Sequence, residues 1–336
     1  KERAASWRRG YLVLPTEIYG GPIQSTWADR EIGVAGRLAT ADGSVHLFEL
    51  ADRGVVPNVA IHLNRKVNEG FAFNAQDHLA ALVASDAGRS DGPATDWLFE
   101  RCARAVTGLE IDPGSVVELE ALLFDPGAGS FLGHDGSIYL SPRIDNLAGV
   151  FTNLEAFVEG GGGPRILALY NHEEVGSQTG EGAQSAMLEK LLARLVRASG
   201  GDDEDLAVAL ERSLVVSNDA AHALHPSYGE KYDPDYAPVL GGGPVLKVNG
   251  KYRYATTAST GARFARACSD AGVPMQRLAN RSDIPSGSTV GPITWARTGI
   301  ATVDVGIPIL AMHSIREAGG TADLQSMIST LVAMLA

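Results

Sequence analysis

The chain has 336 residues and a formal net charge of −12 at pH 7, with 45% hydrophobic and 20% charged residues. Chains of this length commonly fold into two domains, and the composition is that of a globular protein that can bury a large core. The acidic balance argues against nucleic acid and anionic membranes as partners, because both attract basic surfaces.

Two cysteines, Cys102 and Cys268, lie far apart, and neither belongs to a CxxC pair. We therefore expect neither a disulfide framework nor a thiolate metal site, and both residues are expected to be small buried hydrophobes. No run of 18 apolar residues predicts a transmembrane helix, and no apolar stretch of a secretory signal follows the basic start KERAASWRRG. These features favour a cytoplasmic protein.

The first part of the chain, from Tyr11 to about Ile61, consists of short β-type runs separated by turns. The runs YLVLPTEIYGG, EIGVAGRLATADG and SVHLFEL alternate in part, and ADG is a hairpin-type turn. A helix is predicted over residues 96–107, with Asp96 as its N-cap, and a strand over residues 116–125. This part is therefore expected to be mainly β.

From about Ser141 the pattern changes to strands that alternate with helices. Apolar runs that end in polar residues suit buried parallel strands, and the amphipathic runs between them suit helices. The predicted helices cover residues 145–160, 183–198, 261–272 and 323–336, and the predicted strands cover residues 165–174, 212–222 and 299–308. Such alternation is typical of an α/β fold.

Carboxylates and imidazoles follow several of these apolar runs. Side chains at the carboxyl ends of parallel strands face a common crevice, which is where α/β folds place their sites. Carboxylate and histidine ligands without thiolates suit Zn²⁺, Mn²⁺ or Co²⁺ in a hydrolytic centre. The four clusters are SPRIDNLAG with Asp145, YNHEEVGSQTGEGAQS with Glu173 and Glu174, SNDAAHALHPSY with Asp219, His222 and His225, and LAMHSIRE with His313.

Each cluster also has a simpler interpretation. An Asp before a helix, such as Asp145, is often an N-cap, and adjacent acids such as Glu173 and Glu174 are often a solvated turn. The string HEEVG lacks the second histidine of HExxH, because position 176 is Gly. His222 and His225 suit either one helix face or a turn before Pro226. Neither a GxSxG elbow nor a P-loop is present.

At these clusters the chain resembles the aspartyl aminopeptidase family of dinuclear zinc metallopeptidases. The matching strings occur in family order and extend from Tyr11 to Glu317. They are TEIYGGPIQSTWADR, AIHLNRKVNEGFAFN, SPRIDNLAG, NHEEVGS, SNDAAHALHP, GGPVLKVNGKYRYAT, SGSTVGPI and LAMHSIRE.

The resemblance implies two metal ions per subunit, Zn²⁺ or alternatively Mn²⁺ or Co²⁺, and a role for each matching residue. Asp145 would bridge the two ions. Glu174 and His313 would bind one ion, and Asp219 would bind the other. Glu173 would be the general base that deprotonates the attacking water.

Three further residues take roles from the same resemblance. His62 would reach into the partner subunit's active site and steady the oxyanion. Lys247 would lie near the carboxylate of an acidic substrate side chain, and His222 would lie beside the site. For His62 and Lys247 the alternatives are a core or edge histidine in a strand and a surface lysine.

The implied architecture has two parts. Residues 1–140 would form an inserted, mainly β dimerisation domain, and residues 141–336 the larger part of a three-layer α/β catalytic domain. The resemblance also implies dimers that assemble into dodecamers, with closed point-group symmetry.

One departure from the family concerns the metal ligands. The family's remaining ligand is a histidine of an HxD motif upstream of the YGG segment, and no histidine of this chain begins such a motif. We therefore expect that this part of the catalytic domain precedes Lys1, and that the chain as it stands lacks one ligand and some N-terminal strands.

The expected function is removal of N-terminal residues, especially Asp or Glu, from peptides. One alternative is a dinuclear aminopeptidase with neutral or broad preference. Another is a non-catalytic assembly or cargo protein with the same fold, which the missing HxD motif favours and the intact later motifs oppose.

Overall fold

A computed structural model describes residues Ala5–Ala336, which form two compact units. The first unit ends at Ala128 and the second begins at Gly129. The sequence places the boundary after residue 140 instead. The difference arises because Ser130–Leu132 and Ile138–Ser141 are strands that pair within a sheet of the second unit.

The first unit is mainly β, with one helix. Its elements are β1 (Ser6–Arg8), β2 (Tyr11–Leu14), β3 (Gly33–Thr40), β4 (Val45–Glu49), β5 (Ala81–Ser85), β6 (Gly92–Pro93), α1 (Thr95–Arg104) and β7 (Val116–Phe124).

These strands form two antiparallel sheets, in the orders β5-β2-β1-β6 and β4-β3-β7. The predicted ADG turn does join β3 to β4, and the predicted helix and strand correspond to α1 and β7. Leu38, Phe48 and Leu119 from the second sheet share a core with Leu98 and Cys102 of α1. One face of this sheet and one face of α1 are thus removed from water together.

The second unit alternates strands and helices. Its elements are β8 (Ser130–Leu132), β9 (Ile138–Ser141), α2 (Ile144–Glu159), α3 (Met187–Ala198), α4 (Asp203–Arg212), β10 (Val215–Asn218), β11 (Ala221–His222), β12 (Val245–Lys247), α5 (Ala258–Asp270), β13 (Gln276–Leu278), α6 (Val290–Thr298), β14 (Thr302–Gly306), β15 (Pro308–Leu310), β16 (Glu317–Gly320) and α7 (Thr321–Leu335).

Two sheets organise this unit, in the orders β10-β14-β12-β13 and β11-β15-β16-β9-β8. β10 and β14 are parallel, so their carboxyl ends lie at the same edge. Every residue of β14 is buried, and this includes the polar Thr302 and Asp304 as well as Val303 and Val305. Val303 and Val305 pack in one core with Ala148 of α2, Phe264 of α5 and Met327 of α7. The α/β prediction is confirmed.

The four helices predicted in this region are all present, with ends shifted by a few residues. α5 begins three residues before the predicted start, because Thr257 and Thr260 form a capping box there. The sequence predicted no helix between residues 198 and 212, where α4 forms. Asp202 instead caps helix α4 by accepting hydrogen bonds from the amides of Glu204 and Asp205.

The predicted strand over residues 165–174 is wrong. Residues 165–170 belong to no helix and pair with no strand among the residues that the structure describes, and Ile166 and Leu169 are exposed. An apolar run becomes a buried strand only when neighbouring strands take up its backbone hydrogen bonds. Apolar side chains are also exposed on α2, where Leu147, Phe151 and Leu154 form a stripe along the helix.

Both cysteines are free and buried, as predicted. Among residues 5–336, no helix combines the length and the hydropathy that a membrane-spanning segment needs.

Candidate metal centre

Three polar side chains from separate segments of the second unit converge. Asp145 is the second residue of α2, Glu174 lies in a single 3₁₀ turn (Glu173–Val175), and His313 lies in the turn after β15. The Nε2 atom of His313 is 3.5 Å from Oδ2 of Asp145 and 3.5 Å from Oε2 of Glu174. One donor atom from each residue lies within 4.8 Å of the others. The structure therefore brings together three of the four predicted metal ligands.

The backbone of all three segments includes a left-handed residue that is not glycine. Arg143, two residues before Asp145, has φ 55°; His172, directly before Glu173, has φ 59°; and His313 itself has φ 67°. L-residues rarely adopt this conformation, because the Cβ atom crowds the following carbonyl oxygen. These turns direct the side chains towards one another at a cost in local stability.

Asp219, the fourth predicted ligand, directly follows β10 and faces Lys247 at the end of β12. The Nζ atom of Lys247 donates to Oδ2 of Asp219 at 3.2 Å. Only 2% of Lys247 is exposed, so the ion pair is largely shielded from water. Asp219 also lies close enough to Asp145 for each carboxyl group to shift the pKa of the other. The fourth ligand thus contacts the three-residue cluster.

Crowded acidic groups disturb one another's ionisation in this cluster. Burial raises the pKa of Asp219 to about 7, and the charges of Asp145 and Glu173 act in the same direction against Lys247. Burial also acts to raise the pKa of Asp145, but its interactions with His313, Asp219 and Lys247 outweigh burial and hold that pKa below its ordinary value. Burial raises the pKa of Glu174 as well, against the opposing effect of His313.

Such a cluster suits a divalent cation. Like charges at short range are costly unless a positive charge compensates them. Oxygen and nitrogen donors spaced within 4.8 Å fit around one ion with bonds of about 2.0–2.2 Å, as for zinc. The donor set, two carboxylates and one imidazole without thiolate, is typical of a catalytic rather than a structural zinc site.

Glu173 lies beside the cluster, on the same 3₁₀ turn as Glu174. Partial burial raises the pKa of Glu173, and the charges of Glu174 and Asp145 raise it further. Both acids of this turn therefore interact electrostatically with Asp145.

Of the remaining predicted site residues, His222 and Lys247 lie near the cluster, whereas His62 lies in the first unit. His222 is in β11; burial lowers its pKa, and Lys247 and His313 act in the same direction, so it is close to the charged cluster. Lys247 is not the surface lysine of the alternative interpretation. His62 belongs to the first unit, where it is exposed in a loop. The alternative of a core or edge histidine in a strand does not apply to it, because His62 lies in a turn.

The sequence interpretation missed a buried carboxylate, Glu317. Its oxygens accept hydrogen bonds from the main-chain amides of Asp145, at 2.8 Å, and His313, at 2.7 Å. Burial raises the pKa of Glu317 to about 7, although both hydrogen bonds act to lower it. The only signal in the sequence was an acid four residues after His313, which on its own suggests an exposed turn.

A second buried network supports the ends of α2 and β10. The side-chain amide of Asn218 donates to Thr152 and Asn153 of α2, both at 2.9 Å. The side-chain amide of Asn146 donates to the carbonyl oxygen of Asn218 at 2.8 Å. These bonds tie the residue after Asp145 to the residue before Asp219, so they hold the two aspartates near each other.

An α/β fold with carboxylate and imidazole donors converging beside the ends of its strands defines a candidate metallohydrolase. Comparison with known proteins agrees with this class. The family model described as "Aminopeptidase I zinc metalloprotease (M18)" matches residues 1–334. The chain therefore belongs to the M18 family of aminopeptidases, which are zinc-dependent peptide hydrolases.

Individual relatives support the same assignment. The chain is 40% identical to the "Probable M18 family aminopeptidase 2" of Streptomyces coelicolor, over 100% of this chain and 78% of that protein. It is 39% identical to the protein of the same name from Pseudomonas savastanoi pv. phaseolicola, over 98% of this chain and 76% of that protein.

Solved structures show the same fold. A chain in the cryo-EM structure of the Ape4 and Nbr1 complex matches with a TM-score of 0.89 and 31% identity, over 100% of this chain and 68% of that chain. The M18 aminopeptidase from Thermotoga maritima matches with a TM-score of 0.82 and 22% identity, over 100% of this chain and 77% of that chain. At that identity the second match concerns the fold alone.

Proposed function

We propose that this aminopeptidase removes acidic N-terminal residues from peptides at a dinuclear zinc centre. The observation that carries the proposal is the convergence of Asp145, Glu174 and His313, with Glu173 and the Asp219–Lys247 pair next to them. In this proposal Glu174 and His313 would hold one ion, Asp219 would hold the other, and Asp145 would be a ligand of both. Mn²⁺ and Co²⁺ would suit the same donors.

When bound, zinc would polarise the scissile carbonyl group and lower the pKa of a water molecule. Glu173 is the proposed general base. It lies beside the ligand Glu174 without being part of the three-residue ligand group, so its carboxylate is available to take a proton from the attacking water and pass it to the leaving amine.

The proposed acidic preference depends on Lys247. A buried ammonium group has few competing waters, so a second carboxylate gains more from it than from an exposed lysine. Lys247 carries three donor hydrogens, and the bond to Asp219 uses one of them. His222, close to the same charges, is proposed to contribute to substrate binding.

We also propose self-association, with the first unit as a dimerisation domain. One neighbour in the structural comparison is the S. cerevisiae mApe1 dodecamer, which shares 22% identity and the fold with this chain. In the first unit, Val45, Leu47 and Leu122 are exposed on one face of the sheet of β3, β4 and β7. Exposed apolar patches of this kind often mark protein interfaces.

Within such an assembly, His62 is proposed to steady the developing oxyanion in the partner subunit's site. Sedimentation velocity would measure the assembly state directly. A cytoplasmic location completes the proposal, and the two free, buried cysteines are consistent with it.

The test of the function is hydrolysis of a panel of dipeptides with Asp, Glu, Ala, Leu or Lys as first residue. We expect the zinc-loaded protein to cleave the Asp and Glu peptides with the highest kcat/KM. Glu173→Gln should lower kcat by about 10²–10⁴-fold, because it removes the proton acceptor. Glu211→Gln, a change of the same type on the exposed side of α4, should leave kcat unchanged.

The outcomes separate the competing functions. Near wild-type kcat in Glu173→Gln would refute the general-base assignment. An even rate across the panel would favour an aminopeptidase of broad preference. Absence of hydrolysis by protein that holds zinc would favour a non-catalytic assembly or cargo protein.

A further inference from the structure

Glu317 connects two segments that each carry a proposed metal ligand. It is the first residue of β16, and only 2% of it is exposed. Its Oε2 atom accepts the main-chain N–H of Asp145 at 2.8 Å, and its Oε1 atom accepts the main-chain N–H of His313 at 2.7 Å. One carboxylate thus holds two ligand-bearing backbones, which are far apart in the sequence, at a fixed separation.

Both amides need such an acceptor because of their local backbone. Asp145 lies in the first turn of α2 with non-helical angles, φ −78° and ψ 111°, where amide groups have no partner inside the helix. His313 is in the left-handed region at φ 67°, outside any strand. A carboxylate makes stronger hydrogen bonds to amides than a neutral acceptor does, so it suits turns that carry backbone strain.

We propose that Glu317 is a positioning residue of the metal centre, which holds Asp145 and His313 so that both side chains face the same ion. This inference rests on the proposed zinc site. The groups that orient metal ligands commonly set metal affinity, because a ligand that must be ordered on binding binds less tightly. Within residues 5–336, both hydrogen bonds of the Glu317 carboxylate go to main-chain amides and not to a proposed metal-binding atom.

Asp323 offers a matched control in the same unit. It is completely buried at the start of α7, and its two oxygens accept the main-chain amides of Gly241 and Gly243, both at 2.8 Å. The chemistry of this double acceptor equals that of Glu317, but neither glycine carries a metal ligand. A purely structural role would therefore give the two carboxylates similar mutational effects.

The test compares Glu317→Gln and Asp323→Asn with the wild-type chain. The side-chain amide of the introduced Gln or Asn has a donor NH₂ group in place of one acceptor oxygen. One main-chain N–H therefore loses its partner in either variant. The readouts are the Zn²⁺ dissociation constant from chelator competition, the visible spectrum of the Co²⁺-loaded protein, and the Tm of each metal-free protein.

We expect both variants to lower the Tm of the metal-free protein. Glu317→Gln should also raise the Zn²⁺ dissociation constant by about 10–100-fold and alter the Co²⁺ absorption bands. Asp323→Asn should leave the dissociation constant and the bands as in the wild type. Equal zinc affinity in Glu317→Gln and wild type, or equal weakening in both variants, would overturn the positioning role.

Zinc binding by the wild type tests the metal centre separately from the role of Glu317. Wild-type protein that binds no zinc would overturn the centre itself, whereas normal wild-type binding with unaffected Glu317→Gln overturns only the role of Glu317. Should Glu317→Gln not fold, residue-resolved hydrogen exchange of the metal-free wild type decides. Slow exchange of the Asp145 and His313 amides supports the role, and exchange at the rate of unfolded chain contradicts it.

Discussion

At the scale of single residues, the site depends on charges that are buried in pairs. Lys247 and Asp219 are the clearest pair, because their 3.2 Å contact lies where little water can screen it. Burial alone would lower the pKa of Lys247, but Asp219, Tyr254 and Asp304 outweigh burial and raise it. The ring of Tyr254 adds to this, with its centroid 5.5 Å from the ammonium nitrogen.

Replacing Lys247 with Met should therefore be costly when Asp219 remains. We expect a loss of about 3 kcal/mol in the free energy of unfolding of the metal-free protein, because a buried carboxylate is left without its partner. The double variant Lys247→Met/Asp219→Asn should recover most of this loss. Urea denaturation measures both, with the exposed Lys231→Met as control. A single variant as stable as that control would contradict the buried pair.

The same substitution tests the proposed specificity. In the dipeptide panel, Lys247→Met should reduce the kcat/KM for Asp and Glu peptides far more than for Ala or Leu peptides. An unchanged ratio would remove Lys247 from substrate recognition and leave it as the partner of Asp219.

Single residues also show which parts of the site could be predicted from the sequence. Asp145, Glu174 and His313 were identified because their strings resemble a family, and the structure brings their side chains together. Glu317 was missed for a physical reason. It acts on main-chain amides, and no sequence pattern reveals which amides a turn leaves without partners.

At the scale of secondary structure, hydrophobic periodicity predicted helices better than strands. The helices α2, α5 and α7 each bury a side in the common core, so their apolar spacing was informative. The apolar run at residues 165–170 is not a strand, because a strand forms only by hydrogen bonding to a neighbouring strand. Short apolar runs contain no information about which partner is present.

The ends of β10 and β14 contain a close contact that only glycine permits. A Cβ atom on Gly306, the last residue of β14, would lie 1.8 Å from the carbonyl oxygen of Asp219. Gly306→Ala must therefore displace the backbone of Asp219, with an expected loss of about 3 kcal/mol or more in the free energy of unfolding.

The position of Asp219 makes this prediction specific. Because Asp219 is a proposed ligand, Gly306→Ala should also weaken metal binding, which isothermal titration of the metal-free protein would measure. Gly287→Ala is the matched control, since its Cβ would meet no atom within 4 Å. Equal stability and equal affinity in the two variants would show that the backbone at Asp219 adapts.

At the scale of the whole molecule, two compact units divide the chain, and the described ligand cluster lies in the second. Three donors from separated segments are linked when an ion binds, so metal binding and folding of that unit should be coupled. The first unit holds none of the four proposed ligands, so its stability should depend less on metal.

Metal removal tests this coupling. Dialysis against a chelator should abolish hydrolysis and lower the Tm of the second unit, and Zn²⁺ should restore both. In titrations of the metal-free 336-residue chain we expect one ion to bind tightly through Asp145, Glu174 and His313. A second ion should bind more weakly, since Asp219 already pairs with Lys247. Full activity without metal, or two equally tight ions, would contradict this order.

The left-handed residues around the cluster have a consequence for how this enzyme can change. Arg143, His172 and His313 each hold a conformation that costs L-residues about 1–2 kcal/mol. Replacing Arg143 or His172 with Gly would relieve that strain, yet it would also loosen the turns beside Asp145 and Glu173. Selection for heat resistance alone would favour such replacements, and selection for turnover would oppose them. The turns beside the metal ligands are thus where stability and activity should conflict most directly in laboratory evolution.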